Sequence, residues 1–413
     1  MKRLSVPPLL HENREFRLFF TGQTISLFGD QITLIALPLT AVLALHAGAA
    51  QMGYLTTAAL VPNLLFSLHA GALVDRLGRR RQAMLVADAG RALLIASVPV
   101  AYALGRLTFV QLYVVGFLTG TLSVVFMVSY SALFSFVLPR EEYVTGSSLL
   151  NGSRAFSYVG GPSVGGALVQ LLRGPYALVA DAVSFVASAL SLQRMRVDEP
   201  AVPEEGHGVL SGARWLLRAP VMRSGLAATA TVNYFNFVFF ALFVLFATRS
   251  LHVRPGVLGL VLGAGAVGGL LGSAVTGRLS RRIGLGPAFT LGCLLFPAPF
   301  LLVPAARGAM WLVLLCLFAA EFGSGFGVML LDISFAAISA SLVPAELRAR
   351  VSGAFMVVNY GVRPLGTITA GLLGATLGLR TTLWIAAVGG LLGVLWLLPS
   401  PVPRVRELPE TAT

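Results

Sequence analysis

The chain has 413 residues, of which 56% are hydrophobic and only 11% are charged. A water-soluble protein of this length could not hide so much apolar surface, because much of the surface of any folded domain still faces water. The composition therefore excludes an ordinary soluble domain and favours a bilayer protein, in which about 20 apolar residues form one spanning helix.

Twelve apolar segments follow one another along the chain, and a single long polar stretch separates the first six from the last six. The polar stretch ends in "VLSGARWLLR", whose apolar residues recur at helical spacing and predict a short helix on the membrane surface. We predict four regions: 1–195, an N-terminal six-helix bundle; 196–221, a cytoplasmic linker with that short helix; 222–398, a C-terminal six-helix bundle; and 399–413, a cytoplasmic tail. The segments are 18–45, 52–74, 82–104, 109–138, 147–172, 175–195, 222–248, 256–276, 287–304, 309–341, 351–377 and 381–398.

The formal net charge of +13 could suggest a nucleic-acid-binding protein, but the positions of the basic residues argue against one. Of the 30 Lys and Arg residues, 21 fall in the termini and in alternate connections, six in the opposite loops and three inside the apolar segments. Such a bias marks the cytoplasmic side of a membrane protein. We therefore expect a protein of the bacterial inner (plasma) membrane whose two termini are in the cytoplasm. We expect membrane lipids, and not nucleic acid, around the chain.

Several chemistries are excluded by residues that the chain lacks. Lys2 is the only lysine, so no G-x-x-x-x-G-K-[ST] phosphate loop can form and transport cannot be driven by such an ATPase. Cys293 and Cys316 are the only cysteines and both lie in apolar segments, so neither a disulfide framework nor a cysteine metal site is expected. The sequence also contains no spacing typical of a nucleophile and its base. We expect no enzyme activity and no cofactor, and an ion gradient as the energy source.

The two halves of the chain resemble distant copies of each other. "GALVDRLGRRR" at 71 is echoed by "GRLSRRIGLGP" at 277, and Pro139 and Pro162 are echoed by Pro344 and Pro364. The offsets are nearly equal and occur in the same order. Internal duplication is common among secondary transporters, which work by alternating access of their two halves.

Three stretches carry a resemblance to a known family. The loop after the second segment is similar to the G-x-L-a-D-r-x-G-r-[kr] signature of the major facilitator superfamily, and "GPSVGG" in the fifth segment is similar to the G-P-x-x-G-G motif of drug:proton antiporters. The stretch 16–39 resembles the first helix of the bacterial macrolide-efflux and enterobactin-exporter branch. The resemblance implies an all-α membrane protein with twelve transmembrane helices in two pseudo-symmetric six-helix bundles.

The resemblance also assigns roles to the residues that match. The loop signature implies a cytoplasmic gate that closes and opens as the halves move, and the fifth-segment motif implies a bend that favours antiport. The gate residues are Gly71, Asp75, Arg76, Gly78, Arg79 and Arg80, and the antiporter residues are Gly161, Pro162, Gly165 and Gly166. One departure stands out: many drug antiporters have an arginine in the fourth helix, where this chain has Gly116.

Three acidic residues in the apolar segments are the predicted proton-coupling sites. Asp30 lies 12 residues beyond Leu18, or about 18 Å along a helix, which places it near the middle of the bilayer. A carboxylate there is costly, and intramembrane acids are functional candidates by default. Glu321 and Asp332 lie in the tenth segment, which lines the cavity in the family. The alternative for Asp30 and Glu321 is a structural contact between helices, whereas Asp332 lies further toward the cytoplasm, where its alternative role is in an inner gate.

Other charged residues in the apolar segments are expected to hold helices together or to move with them. Asp88 and Arg91 are three residues apart, so they share one helix face and should pair. Arg154 and Arg363 flank the two corresponding prolines, and we predict gating or coupling roles for them. Asp181 is expected to support or flank the cavity.

The substrate cavity is predicted from Gln23 in the first segment and from the aromatic-rich seventh segment, "TVNYFNFVFFALFVLF". Aromatic side chains with a few polar groups are typical of pockets for lipophilic molecules. We predict that Asn233, Tyr234 and Phe237 contact the substrate.

The sequence thus favours a secondary active transporter, expected to act as a monomer, that exports a small amphipathic or lipophilic compound in exchange for protons. The drug, macrolide or siderophore type of substrate is left open. The main alternative is a proton-independent facilitator or importer, which the glycine at position 116 supports. A membrane-embedded enzyme, a scramblase-like protein or a sensor fits less well, because the chain offers neither a catalytic cluster nor a long polar domain.

Overall fold

The computed structural model describes residues 8–197, 199 and 209–405; within them, nothing is stated of the side chains of 67–77, 209–211, 345 and 349. Every regular element in this part of the chain is a helix, as the sequence predicts for an all-α protein. The described residues of 1–46 and 61–205 form one compact unit, and those of 47–60 and 206–413 form a second.

In the part of the chain that the structure describes, seven α-helices precede the polar stretch, and two of them begin at a capping side chain. The Asn13 side chain accepts a hydrogen bond from the Phe16 N–H, and the Thr108 side chain does the same for Gln111, so each caps a helix N-terminus. The helices are α1 (Pro8–Glu12), α2 (Arg14–Ala44), α3 (Ala49–Leu77), α4 (Arg80–Ala103), α5 (Phe109–Val137), α6 (Tyr143–Leu172) and α7 (Gly174–Arg194).

Eight further helices follow. Proline occupies one of the first helical positions of α9 and α10, where its missing N–H costs nothing. The helices are α8 (Val209–Arg218), α9 (Pro220–Arg249), α10 (Pro255–Ile283), α11 (Leu285–Leu295), α12 (Leu302–Ala305), α13 (Met310–Leu342), α14 (Arg348–Thr376) and α15 (Leu379–Leu391).

The predicted ninth segment, 287–304, is not one continuous helix. α11 ends at Leu295, a 3₁₀ turn covers Ala298–Leu301, and α12 then completes the segment. Pro297 and Pro299 explain the break, because each removes a backbone N–H and clashes with the preceding helical turn.

The end of the polar stretch forms the short helix α8, and its position on the membrane surface stays a prediction. It packs against α14 in the second unit, and Gly212 lies close to the α14 backbone. A Cβ at that position would lie 2.3 Å from the backbone carbonyl carbon of Arg350, so only glycine lets the two helices meet there.

Three helix pairings of the first unit recur in the second. In the first unit α2 packs against α6 and α7, and α4 packs against α5; in the second, α9 packs against α14 and α15, and α11 packs against α13. These are equivalent positions in the two halves of the sequence, so the packing agrees with an internal repeat.

Nine helices in the described part of the chain are long and apolar enough to cross a membrane. α3, α6 and α14 have 29 or 30 residues each but are not among the nine. The chain is therefore a multi-helix membrane protein by length and composition, and the count of twelve stays a prediction.

Candidate functional site

A pocket of about 580 Å³ lies within the second unit, walled mainly by α9, α13 and α14. This volume is in the range of small-molecule binding sites in proteins. Five aromatic side chains line it, and amides, hydroxyls and two charged groups supply the polar surface. The aromatic residues are Phe237, Phe296, Phe335, Phe355 and Tyr360, and the charged residues are Asp332 and Arg363.

A pair of side-chain amides joins α9 and α14 at the pocket wall. Asn233 Nδ2 donates to Asn359 Oδ1 at 2.8 Å and to the Thr229 carbonyl oxygen at 3.1 Å. Both amides also line the pocket. The pair fixes the separation of the two helices while leaving polar atoms available to a ligand.

Arg363 lies flat against the aromatic wall. Its guanidinium carbon is 5.1 Å from the centre of the Phe237 ring and 4.5 Å from that of Tyr360, a cation–π arrangement on both rings. Asp332 on α13 interacts with it electrostatically, yet no direct ion pair joins them among the described side chains. The pocket therefore presents a carboxyl group and a guanidinium that are not paired with each other, so each can contact a ligand.

Two residues predicted to contact substrate lie away from this pocket. The Tyr234 hydroxyl is 2.7 Å from Thr369 Oγ1 on α14 and does not line the wall. Gln23 is buried in the first unit, and its Nε2 has no hydrogen-bond partner among the described residues. Asn233 and Phe237, by contrast, both line the pocket, and for all four a substrate contact stays a prediction.

Glu321 and Asp332 share α13 but have different surroundings. Asp332 opens into the pocket, whereas Glu321 faces α10, where a Cβ on Gly265 would lie 3.2 Å from Glu321 Oε2. Glu321 makes no hydrogen bond or ion pair with the residues that the structure describes. The two acids are therefore separate sites on one helix.

The first unit contains a group of charged side chains that sequence reasoning did not bring together. The predicted pair of Asp88 and Arg91 on α4 is confirmed, and Arg91 Nη1 also lies 3.8 Å from Asp30 Oδ1 on α2. Asp181 on α7 accepts hydrogen bonds from Thr33 Oγ1 at 2.5 Å and from Ser184 Oγ at 2.9 Å.

Asp30 on α2 therefore has the guanidinium of Arg91 on α4 beside it. No three His, Cys, Asp or Glu side chains in the described part of the chain converge as metal ligands.

The signature loop is described from Gly78 onwards. Gly78 has a positive φ of 59°, which favours glycine and makes the turn between α3 and α4. Arg79 is exposed, whereas Arg80 is buried with its guanidinium 5.2 Å from the centre of the Phe136 ring. The side chains of Gly71, Asp75 and Arg76 lie outside the described set, although their backbone forms the end of α3.

A carboxylate from the polar stretch holds the beginning of α4. Glu199 accepts hydrogen bonds from the backbone N–H groups of Arg80 and Arg81, at 2.5 and 3.0 Å. Arg81 Nη1 donates to carbonyl oxygens at the end of α7, including that of Met195 at 2.8 Å. The loop is therefore tied to the start of the polar stretch by charge at a helix N-terminus.

The fifth-segment motif lies in α6, where that helix packs against α2. Pro162 is inside α6 and is buried, as are Gly161, Gly165 and Gly166. A Cβ on Gly165 would lie 3.0 Å from the Ile32 Cα. The motif therefore permits close helix contact.

On the same helix, Arg154 interacts electrostatically with Tyr130 of α5.

Replacing Gly161 with alanine is expected to destabilise the first unit. The added methyl carbon would lie 2.4 Å from Gln31 Cβ, so α2 and α6 would have to move apart, at a cost of about 1–3 kcal/mol. Gly152→Ala on the same helix is the control, since a methyl there meets nothing within 4 Å. Thermal unfolding of the purified variants measures the difference, and equal midpoints for the two would contradict the packing.

Comparisons with known proteins agree with this architecture. The family model described as Major Facilitator Superfamily matches residues 19–367 and 226–413. The chain is 31% identical over 409 residues to the multidrug efflux pump Tap of Mycolicibacterium fortuitum, covering 92% of this chain and 93% of that protein. It is 26% identical over 391 residues to YfiS of Bacillus subtilis (strain 168), an uncharacterised MFS-type transporter, with 90% and 89% covered.

Solved structures share the fold at low sequence identity. The nucleoside transporter NupG aligns with a TM-score of 0.73 at 13% identity, covering 93% of this chain and 98% of that chain. A bacterial homologue of the iron transporter ferroportin, in an inward-facing state, aligns with a TM-score of 0.71 at 16% identity, with 94% and 98% covered. These likenesses concern the fold alone.

Proposed function

We propose that this chain, which belongs to the major facilitator superfamily, exports small amphipathic or lipophilic compounds in exchange for protons. Family membership makes it a multi-pass membrane transporter, and its relatives include a multidrug efflux pump. The observation that carries the choice of substrate class is the pocket of the second unit.

The pocket supports an amphipathic substrate through its lining. Its aromatic rings offer apolar contact area that tolerates many shapes, while the amides of Asn233 and Asn359 and the two separate charges offer polar contacts. A site for a single strongly polar solute would be expected to carry more converging polar groups.

Energy is proposed to come from the proton gradient, with Asp30, Glu321 and Asp332 as the acids that bind and release protons. Arg154 and Arg363 serve as gating or coupling cations, and the signature loop serves as the cytoplasmic gate. The basic-residue bias supports an inner-membrane orientation with both termini in the cytoplasm. The protein is proposed to work as a monomer by alternating access, without a cofactor.

Dye accumulation in drug-sensitised bacteria tests the export direction. Cells expressing the chain should retain less of a lipophilic fluorescent dye than cells with an empty vector, and an uncoupler that collapses the proton gradient should abolish the difference. Equal retention in both strains would contradict export. Dye movement that is unaffected by the uncoupler would favour the proton-independent facilitator, which Gly116, at the position where many drug antiporters have arginine, supports.

A further inference from the structure

Three carboxyl groups and one guanidinium meet inside the first unit, and we call Asp30, Asp88, Arg91 and Asp181 the acid–arginine network. They come from three helices, α2, α4 and α7, of which α7 packs against both of the others. Asp88 and Asp181 have no exposed surface, and the Arg91 side chain is only 4% exposed. Apart from Asp88 and Arg91, these residues are far apart in the sequence, so only the fold reveals the complete grouping.

Arg91 occupies a fixed place between two of the acids. Its guanidinium carbon lies 4.4 Å from the centre of the Phe126 ring and 4.3 Å from that of Phe185, so aromatic rings restrain it. Within that space one nitrogen pairs with Asp88 and another lies 3.8 Å from Asp30. A small movement of the guanidinium is enough to change which acid it neutralises.

Asp181 adds a second acid next to Asp30. Its Oδ1 approaches the α2 backbone so closely that a Cβ on Gly29 would lie 2.3 Å from it. Gly29 directly precedes Asp30, and the Asp30 and Asp181 carboxyl groups interact electrostatically. The hydroxyls of Thr33 and Ser184 hold Asp181 in place.

The network does not satisfy itself without a ligand. The Arg91 Nε is buried and has no hydrogen-bond partner among the described residues, and the second Asp88 carboxyl oxygen has only the Ser188 hydroxyl near it, outside ideal hydrogen-bond geometry. Three ionised acids against one arginine would also leave an uncompensated negative charge. That charge is costly at Asp88 and Asp181, which are buried, whereas the Asp30 side chain is 41% exposed. A proton on a carboxyl oxygen is the smallest ligand that reduces that charge.

The charged groups that act on each acid are other members of the network. Arg91 acts on Asp30, Arg91 and Asp30 act on Asp88, and Asp30 and Arg91 act on Asp181. α5 and α6, which also pack in this unit, contribute no charged group to these acids among the described side chains. The network is therefore a closed set of interacting charges.

We propose that the network is one proton-binding unit in which Arg91 is the shared counter-ion. When Asp30 holds a proton, Arg91 pairs with Asp88 alone. When Asp30 releases the proton, its carboxylate attracts Arg91. Arg91 is a positioning residue, because it transfers no proton itself. The role of the network in transport rests on the proposed function, but proton binding by the network does not.

Infrared difference spectroscopy of the full chain in liposomes, with no substrate and a change of pH, tests the proposal. The wild type should show a titrating carboxylic-acid C=O band. Asp30→Asn should lose most of its amplitude, and Arg91→Gln should move the band to higher pH, because the carboxyl groups lose the cation that favours their ionised form. Arg91→Lys, which keeps the positive charge, should titrate like the wild type. Arg223→Gln, at an exposed arginine of α9 in the second unit, is the control and should match the wild type.

The outcomes separate this proposal from the proposed function. An unchanged band in Asp30→Asn, or in an Arg91→Gln variant that elutes as a monodisperse protein, overturns the network. If Arg91→Gln does not fold, loss of the band in Arg91→Lys overturns the charge role. If the protein shows substrate-dependent proton flux but the band is unchanged in Asp30→Asn, the proposal for the network is wrong and the proposed export is supported. If the band titrates and is lost in Asp30→Asn but no drug is transported, the proposal for the network is supported and the proposed export is wrong.

Discussion

Replacing Arg91 with leucine is expected to lower the free energy of unfolding by about 3–5 kcal/mol, because removal of one partner from a buried ion pair leaves the other charge uncompensated. Asp88 would lose its partner in a site with no exposed surface, and Asp30 would lose the cation 3.8 Å away. The stacking of the guanidinium on Phe126 and Phe185 would be lost as well.

Two comparisons make this stability prediction specific. Arg79→Leu removes an exposed arginine at the beginning of the same helix and should change stability by no more than about 0.5 kcal/mol. The double variant Arg91→Leu/Asp88→Leu should recover part of the loss, because it removes both charges together. Denaturation of the purified proteins in detergent measures all three, and an Arg91→Leu variant as stable as Arg79→Leu would show that the buried pair contributes nothing.

Replacing Asp332 with asparagine is expected to abolish accumulation of substrate against its gradient. The amide keeps the size of the carboxyl group but cannot carry a proton, so the coupling proposed for this acid is lost while the aromatic pocket stays intact. With one proton exchanged per substrate molecule, a difference of one pH unit supports about tenfold accumulation, since 1.4 kcal/mol corresponds to a factor of ten. The variant should only equilibrate the substrate, so that its concentration is about the same on both sides of the membrane.

Uptake of a lipophilic dye into proteoliposomes under an imposed pH difference measures this accumulation. Asn236→Ala is the matched control, because Asn236 lines the same pocket and does not titrate. It should change affinity but retain accumulation. Equal accumulation by the wild type and Asp332→Asn would remove Asp332 from the coupling path and leave the other acids to account for it.

Features that depend on one helix were predictable from the sequence. The pairing of Asp88 with Arg91 followed from their separation of three residues, and α8 followed from its apolar face. In each case the helical repeat alone decides the outcome.

Helical spacing accounts for part of the lining of the pocket. Asn236 and Phe237 lie three and four residues after Asn233, on the same side of α9, and all three line the pocket. Tyr234 lies three residues before Phe237 but reaches Thr369 on α14 instead. Spacing therefore accounts for the residues that line the pocket, whereas the position of Tyr234 depends on how α9 packs against α14.

The grouping of Asp30, Arg91 and Asp181 could not be read from the sequence. It depends on how α2, α4 and α7 are rotated about their own axes when they pack, and many neighbours decide that rotation together. The same holds for Asn359, which reaches Asn233 from a helix more than a hundred residues later. Contacts between distant helices are determined by packing rather than by local pattern.

The most direct test of the account is substrate-dependent proton flux in proteoliposomes containing a pH-sensitive dye. The wild type should move protons opposite to a lipophilic substrate, and Asp30→Asn should show no such flux. If the substrate crosses equally well without a pH difference, moves no protons, and behaves the same in both proteins, the antiport account is wrong. The protein would then be a facilitator, and Asp30 a structural residue.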